Sequence, residues 1–127
     1  MEFPILPEVQ AYLEWLSAMY PPPPGYRYHQ FLKGIKAGSR KGQADIWHLD
    51  RRVYMTASLA IRGSGTEVAP QAFDPGEDIT EFVGVPTGWT VIFPGTETDV
   101  DGTWPVIHRS PPDPGDRLVL ISYIEKS

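Results

Sequence analysis

The sequence contains no cysteine, which removes disulfides, thiolate nucleophiles and every Cys-ligated zinc or iron–sulfur centre from consideration. Long apolar runs are also missing. Nothing approaches the roughly 20 residues that a membrane-spanning helix needs, and the N-terminal "MEFPILPEVQ" has no basic leader region. A cytoplasmic protein without membrane contact is the expectation. Catalytic signatures are equally scarce. No serine or threonine sits in a recognisable nucleophile motif, and no two histidines stand at the i, i+4 spacing of a helical zinc site. "IRGSGTE" holds a lone G-x-G, but no helix pattern follows and the Lys-Ser/Thr of a phosphate loop is missing.

The stretch "ETDVDGTWPVIH", residues 97–108, places Glu97, Asp99, Asp101 and Gly102 at the first, third, fifth and sixth positions of a calcium loop. The twelfth position requires a bidentate Glu and holds His108 instead, so the fit fails. A zinc site would need His29, His48 and His108 to converge, and no spacing supports it. The sequence therefore gives no metal and no cofactor.

What is present is one domain's worth of chain. Its 127 residues are long enough for a real core, and 41% of them are hydrophobic. Fourteen prolines and twelve glycines are many for this length and punctuate short elements. The net charge of −5 hides a sorted pattern. Between residues 27 and 62, eight Lys or Arg face only Asp45 and Asp50, whereas the C-terminal half is strongly acidic. A local basic patch can steer an acidic partner even on an acidic protein. The two halves can equally neutralise each other, within one fold or across a homodimer, so a homo-oligomer stays open.

"PEVQAYLEWLSAMY", residues 7–20, predicts a helix. Pro7 suits the first helical position, Glu8 favours the positive end of the dipole, and Val9, Tyr12, Leu13, Leu16 and Tyr20 form an apolar stripe. Pro21–Pro24 must end it, since they cannot donate backbone hydrogen bonds. They read as a stiff spacer rather than a ligand for an aromatic groove. A second, weaker helix is expected over 26–37, with Phe31, Leu32 and Ile35 on one face and Gly38 as C-cap.

The period then changes to two. Residues 44–49 and 52–61 read as an antiparallel hairpin turning at Asp50-Arg51, with Val53, Met55, Ala57, Leu59 and Ile61 toward the core and Tyr54, Thr56 and Ser58 on a wetter face. Residues 62–78 read as a long loop. "ITEFV", "WTVIF", "TWPVI" and "RLVLISYI" are strands, the last apolar on both faces and hence central. Pro105 marks "TWPVI" as an edge. Asp101-Gly102 signals a type I′ hairpin turn. The expected architecture is a single α+β domain over 1–127. A helical part, 1–42, carries the proline spacer and a β-rich part occupies 43–127. One or two N-terminal helices pack on a curved, mostly antiparallel sheet of five or six strands.

Two sets of residues carry functional expectations. Tyr26, Arg27, Tyr28, Lys33, Lys36, Arg40 and Lys41 interleave rings with cations, and Arg51 and Arg52 join them at the expected hairpin tip. Arginine and tyrosine are favoured in interface hot spots, so the leading reading is a small non-enzymatic binding protein of inhibitor, immunity or accessory type. It would dock a protein with an acidic surface. Stacking rings and phosphate-neutralising cations also suit single-stranded nucleic acid, but eight acids between Glu67 and Asp101 disfavour a polyanion. The second set is His48 with Asp50, two residues apart and on one face of an extended segment. As a catalytic pair they would give a small-molecule enzyme or carrier, with His108 and Asp101 as another pair and Trp47, Trp89 and Trp104 lining an apolar pocket. The competing explanation is the ordinary wet side of a strand beside a turn.

Overall fold

A computed structural model describes residues 7–35, 46–111 and 115–127. The fold is α+β with antiparallel sheets: among the described residues one helix, α1 (Pro7–Met19), precedes seven strands, β1 (Tyr26–Ile35), β2 (Val53–Arg62), β3 (Glu67–Ala69), β4 (Val83–Gly84), β5 (Thr90–Pro94), β6 (Ile107–Arg109) and β7 (Arg117–Lys126). The strands divide into a four-stranded sheet, ordered β1-β7-β2-β5, and a three-stranded sheet, ordered β4-β3-β6. This replaces the single sheet of five or six strands expected from the sequence. β7 is central, as its two apolar faces require.

The expected second helix is a strand. Residues 26–35 pair along their whole length with β7, Tyr26 opposite Lys126 and Ile35 opposite Arg117. The segment alternates Tyr-Arg-Tyr-His as well as carrying a helical stripe, and Gly34 weakens the helix. An unpaired edge of β7 decides between the two. The expected hairpin of 44–49 with 52–61 does not form either. Residues 44 and 45 lie outside the described residues, and 46–50 are not a strand. β2 pairs instead with β5 and β7. The strands expected near 79–83 and 103–107 are shorter or displaced, and β6 begins only after Pro105. The loop expected over 62–78 contains β3. At Asp101-Gly102 the chain does turn, with the Thr103 N–H donating to the Val100 carbonyl at 3.1 Å, but only Gly102 takes a positive φ. That is the pattern of a type II turn, not type I′.

Strand register assigns the faces of the larger sheet. On one face the rows Tyr28–Ile124–Met55 and Gln30–Ser122–Ala57–Ile92 lie beneath α1. Leu16 is the helix's anchor: it is fully buried against Met55, Ala57 and Ile124. The Tyr28 hydroxyl donates to the Leu16 and Tyr20 carbonyls at 3.2 and 2.5 Å, supplying partners to the end of the helix. On the opposite face run the rows His29–Tyr123–Thr56–Phe93 and Phe31–Ile121–Ser58–Val91. Phe93 there meets Val68 of β3 and Val106, so the small sheet covers part of this face. Thr56 and Ser58 are consequently buried, not wet.

Candidate functional site

The covered face is not filled. Its middle row places the small Ser58 between Ile121 and Val91, and a pocket of about 360 Å³ opens over it. Phe31, Phe93, Val119, Ile121 and Tyr123 supply apolar and aromatic walls. Thr56, Ser58, Thr66, Asp50 and His108 supply polar groups, with His48, Lys33 and Arg109 also lining it. Buried polar atoms need partners, and here they find them. Ser58 and Thr66 share a hydrogen bond of 2.9 Å, and the Thr56 hydroxyl donates to Asp50 Oδ2 at 3.0 Å.

The chemistry concentrates at Asp50. His108 Nε2 lies 3.2 Å from Asp50 Oδ1, and His48 Nε2 lies 3.9 Å from the same oxygen. Backbone pairing creates this meeting. His48 and His108 form an isolated antiparallel bridge, each N–H donating to the other's carbonyl at 3.0 Å. Their rings stand 4.2 Å apart, centroid to centroid. The two nevertheless differ in exposure, since the His108 side chain is 7% exposed and that of His48 is 51%. Each ring turns its Nδ1 to the carbonyl two residues before it, Ile46 at 3.1 Å and Val106 at 3.2 Å.

Electrostatics follow from this packing. Burial lowers the His48 pKa, and the neighbouring His108 charge lowers it further, against the raising influence of the Ile46 carbonyl and Asp50. Burial alone would raise the Asp50 carboxyl; the His108 hydrogen bond and charge, the Thr56 hydroxyl and His48 outweigh it and hold the pKa below its ordinary value. Tyr123 is pushed up to about 12 by burial and by the carboxylates of Asp50 and Glu125.

The structure thus brings His48 and Asp50 together, as their spacing suggested, and adds His108, which the sequence had set beside Asp101. The only signal for His108 was alternation in "PVIH", which marks a side chain on one face without naming its partner. His29 goes elsewhere, to Glu125 at 3.2 Å. The tryptophans expected around a pocket do not line it. Trp47 stacks on the Arg109 guanidinium, Trp104 donates to the Pro70 carbonyl, and Trp89 is exposed.

The basic and aromatic set is split by the strand that carries it. Tyr26 and Tyr28 turn toward α1, with Tyr26 against Tyr54, while Lys33 turns to the pocket and Arg27 lies 3.7 Å from Glu125. Arg51 and Arg52 are exposed at the turn into β2, where Arg52 holds a left-handed φ of 63°. Lys36, Arg40 and Lys41 lie outside the described residues. No protein-family model matches the chain, and no characterised protein or solved structure is significantly similar to it.

Proposed function

We propose that this chain binds a small, ring-bearing organic anion in the pocket over Ser58 and transfers a proton to or from it through His48. The observation that carries the reading is the orientation of His48. Its Nδ1 is committed to the Ile46 carbonyl, and its Nε2, kept unprotonated near neutral pH by burial and by His108, is left free beside the pocket. His108 has both nitrogens engaged, by Val106 and Asp50, and serves as an anchor. On proton abstraction a ligand C–H bond breaks, an N–H bond forms at His48 Nε2, the C–H electron pair passes to the ligand's adjacent carbonyl or carboxylate oxygen, and Asp50 stabilises the resulting imidazolium. Phe31, Phe93 and Tyr123 suit a ring, while the Ser58–Thr66 hydroxyls and Lys33 suit a carboxylate or carbonyl oxygen.

The test is a thermal-shift screen of ring-bearing carboxylates on chelator-treated protein. A binder should raise Tm by mass action on the folded state, less so in Lys33→Glu. In D2O the bound compound should take up deuterium, and His48→Gln should stop that uptake. A screen in which no compound raises Tm ends the pocket reading; exchange that survives His48→Gln ends the assignment of the base.

A docking function keeps one supporting observation, the exposed Arg51 and Arg52 on the turn beside the pocket residue Asp50. In this second reading the partner is a protein with an acidic surface. The double change Arg51→Glu, Arg52→Glu should then abolish its capture, and capture that survives the reversal of both charges removes the reading.

A further inference from the structure

We propose that His48, Asp50 and His108 form a binding site for a first-row divalent transition metal, typified by Zn²⁺, at the polar end of the pocket. This deepens the reading of the pocket as a binding site, not of His48 as a base, because a metal on Nε2 takes the lone pair that proton transfer needs. It rests on the pocket only for what the metal would do there. The ligand set itself stands on separate geometry.

The ligand atoms of the three side chains all lie within 4.8 Å of one another, a cluster found among the described residues. A tetrahedral ion with bonds of 2.0–2.1 Å spaces its ligands about 3.4 Å apart. The two separations to Asp50 Oδ1, 3.2 and 3.9 Å, bracket that spacing. The remaining closure falls to His48, the most exposed of the three and the freest to swing.

Tautomers make the stronger argument. A neutral imidazole donates from one nitrogen and accepts at the other. Both rings spend the Nδ1–H on a backbone carbonyl, Ile46 for His48 and Val106 for His108. In the neutral rings that leaves a lone pair on each Nε2, and both Nε2 atoms turn toward the same carboxylate oxygen. Three acceptors then face one point, with 3.2 Å between the His108 nitrogen and the Asp50 oxygen. A cation between them makes the arrangement favourable. A proton on His108 Nε2 satisfies one pair; a divalent ion satisfies all three atoms at once. Backbone carbonyls behind the ring nitrogens are the usual outer support of metal-bound histidine, and the Thr56 hydroxyl holds Asp50 Oδ2 in the same role at 3.0 Å.

The donors also select the ion. Two imidazoles and one carboxylate suit zinc, iron, nickel or copper, whereas calcium and magnesium prefer oxygen alone. Three protein ligands leave at least one position open, as in catalytic rather than structural zinc sites. The pocket residues Thr56 and Ser58 are beside it, so a bound water or a ligand oxygen can complete the sphere.

The experiment is calorimetric titration of Zn²⁺ into the full, untagged, chelator-treated chain, with Co²⁺ absorption spectra as a second reading of the donor set. One equivalent should bind, and Co²⁺ should give visible bands of a low-coordinate nitrogen–oxygen site. His48→Ala changes a half-exposed residue, so the variant should fold, which circular dichroism checks. It should bind at least about tenfold more weakly, and Asp50→Asn likewise. His29→Ala, which removes an exposed histidine outside the cluster, should leave affinity unchanged. Absence of stoichiometric binding overturns the proposal, as does binding that persists undiminished in folded His48→Ala. No stoichiometric metal binding together with a ligand-induced rise in Tm would sink the metal and leave the pocket standing. Metal binding with a flat organic screen would do the reverse.

Discussion

Tyr28 is polar and aromatic on a strand where Tyr26 sits on the same side, yet its hydroxyl matters more than its ring position. It donates to the Tyr20 carbonyl, just past the end of α1, and to the Leu16 carbonyl, which also accepts from the Tyr20 N–H at 2.9 Å. Burial, with smaller contributions from Tyr12 and Tyr20, pushes its pKa up to about 12, and Tyr123 is raised to a similar value, first by burial and then by nearby carboxylates. A raised folded-state pKa means that the unfolded chain releases these protons first. The stabilisation is therefore complete below about pH 10 and is lost as pH rises from there toward 12. Urea unfolding at stepped alkaline pH should show midpoints falling through that window. Tyr28→Phe should cost about 1–2 kcal/mol at neutral pH, the usual worth of one or two such bonds, and should shallow the alkaline decline. A variant as stable as the parent at pH 7 would mean that water replaces the hydroxyl at no cost.

Among the elements, α1 and β7 were readable because each carries a signal that no alternative shares. Pro7 and Pro21–Pro24 bracket the helix on both sides, and "RLVLISYI" has no polar face to show to water. β1 was not readable by the same means. "YRYHQFLKGI" satisfies a period of 3.6 through Phe31, Leu32 and Ile35, and a period of 2 through Tyr26, Tyr28 and their neighbours. What settles it is the free edge of β7, about 90 residues away, which local pattern cannot contain. The hairpin error has the same origin. Adjacent segments are the default partners of a strand, but β2 finds its neighbours in β5 and β7. The site was half legible for a related reason. His48 and Asp50 are two residues apart, so alternation alone joins them, whereas His108 arrives through a bridge across 60 residues. Thr56 and Ser58 looked solvent-facing because polarity usually marks the wet side of a sheet. A second sheet above them, invisible in local pattern, turns the same polarity into a pocket lining.

At the scale of the molecule, the four-stranded sheet divides two tasks between its faces. One face is closed by α1 around Leu16, Met55, Ala57 and Ile124, with no titratable side chain among the four. The other holds the pocket, with its small and polar residues under the second sheet. Alternation along β2 enforces the separation, since Met55 and Ala57 point to the helix while Thr56 and Ser58 between them point to the pocket. The charges sorted along the sequence are partly spent in joining distant segments. Glu67 of β3 meets Arg109 of β6 at 2.8 Å, Arg27 of β1 reaches toward Glu125 of β7, and Lys126 reaches toward Glu97. Stability and chemistry should then respond to different substitutions. Leu16→Ala removes the fully buried anchor of the helix and should cost about 2–5 kcal/mol, read as a lower urea midpoint. Because Leu16 touches the far side of the sheet, Zn²⁺ affinity measured well below that midpoint should stay within about twofold, the scale expected for sites that share no partners. His48→Ala should show the opposite pattern, with affinity lost and the midpoint little changed. A parallel fall of both quantities in Leu16→Ala would mean that the two faces are mechanically coupled, and that the pocket depends on the helix after all.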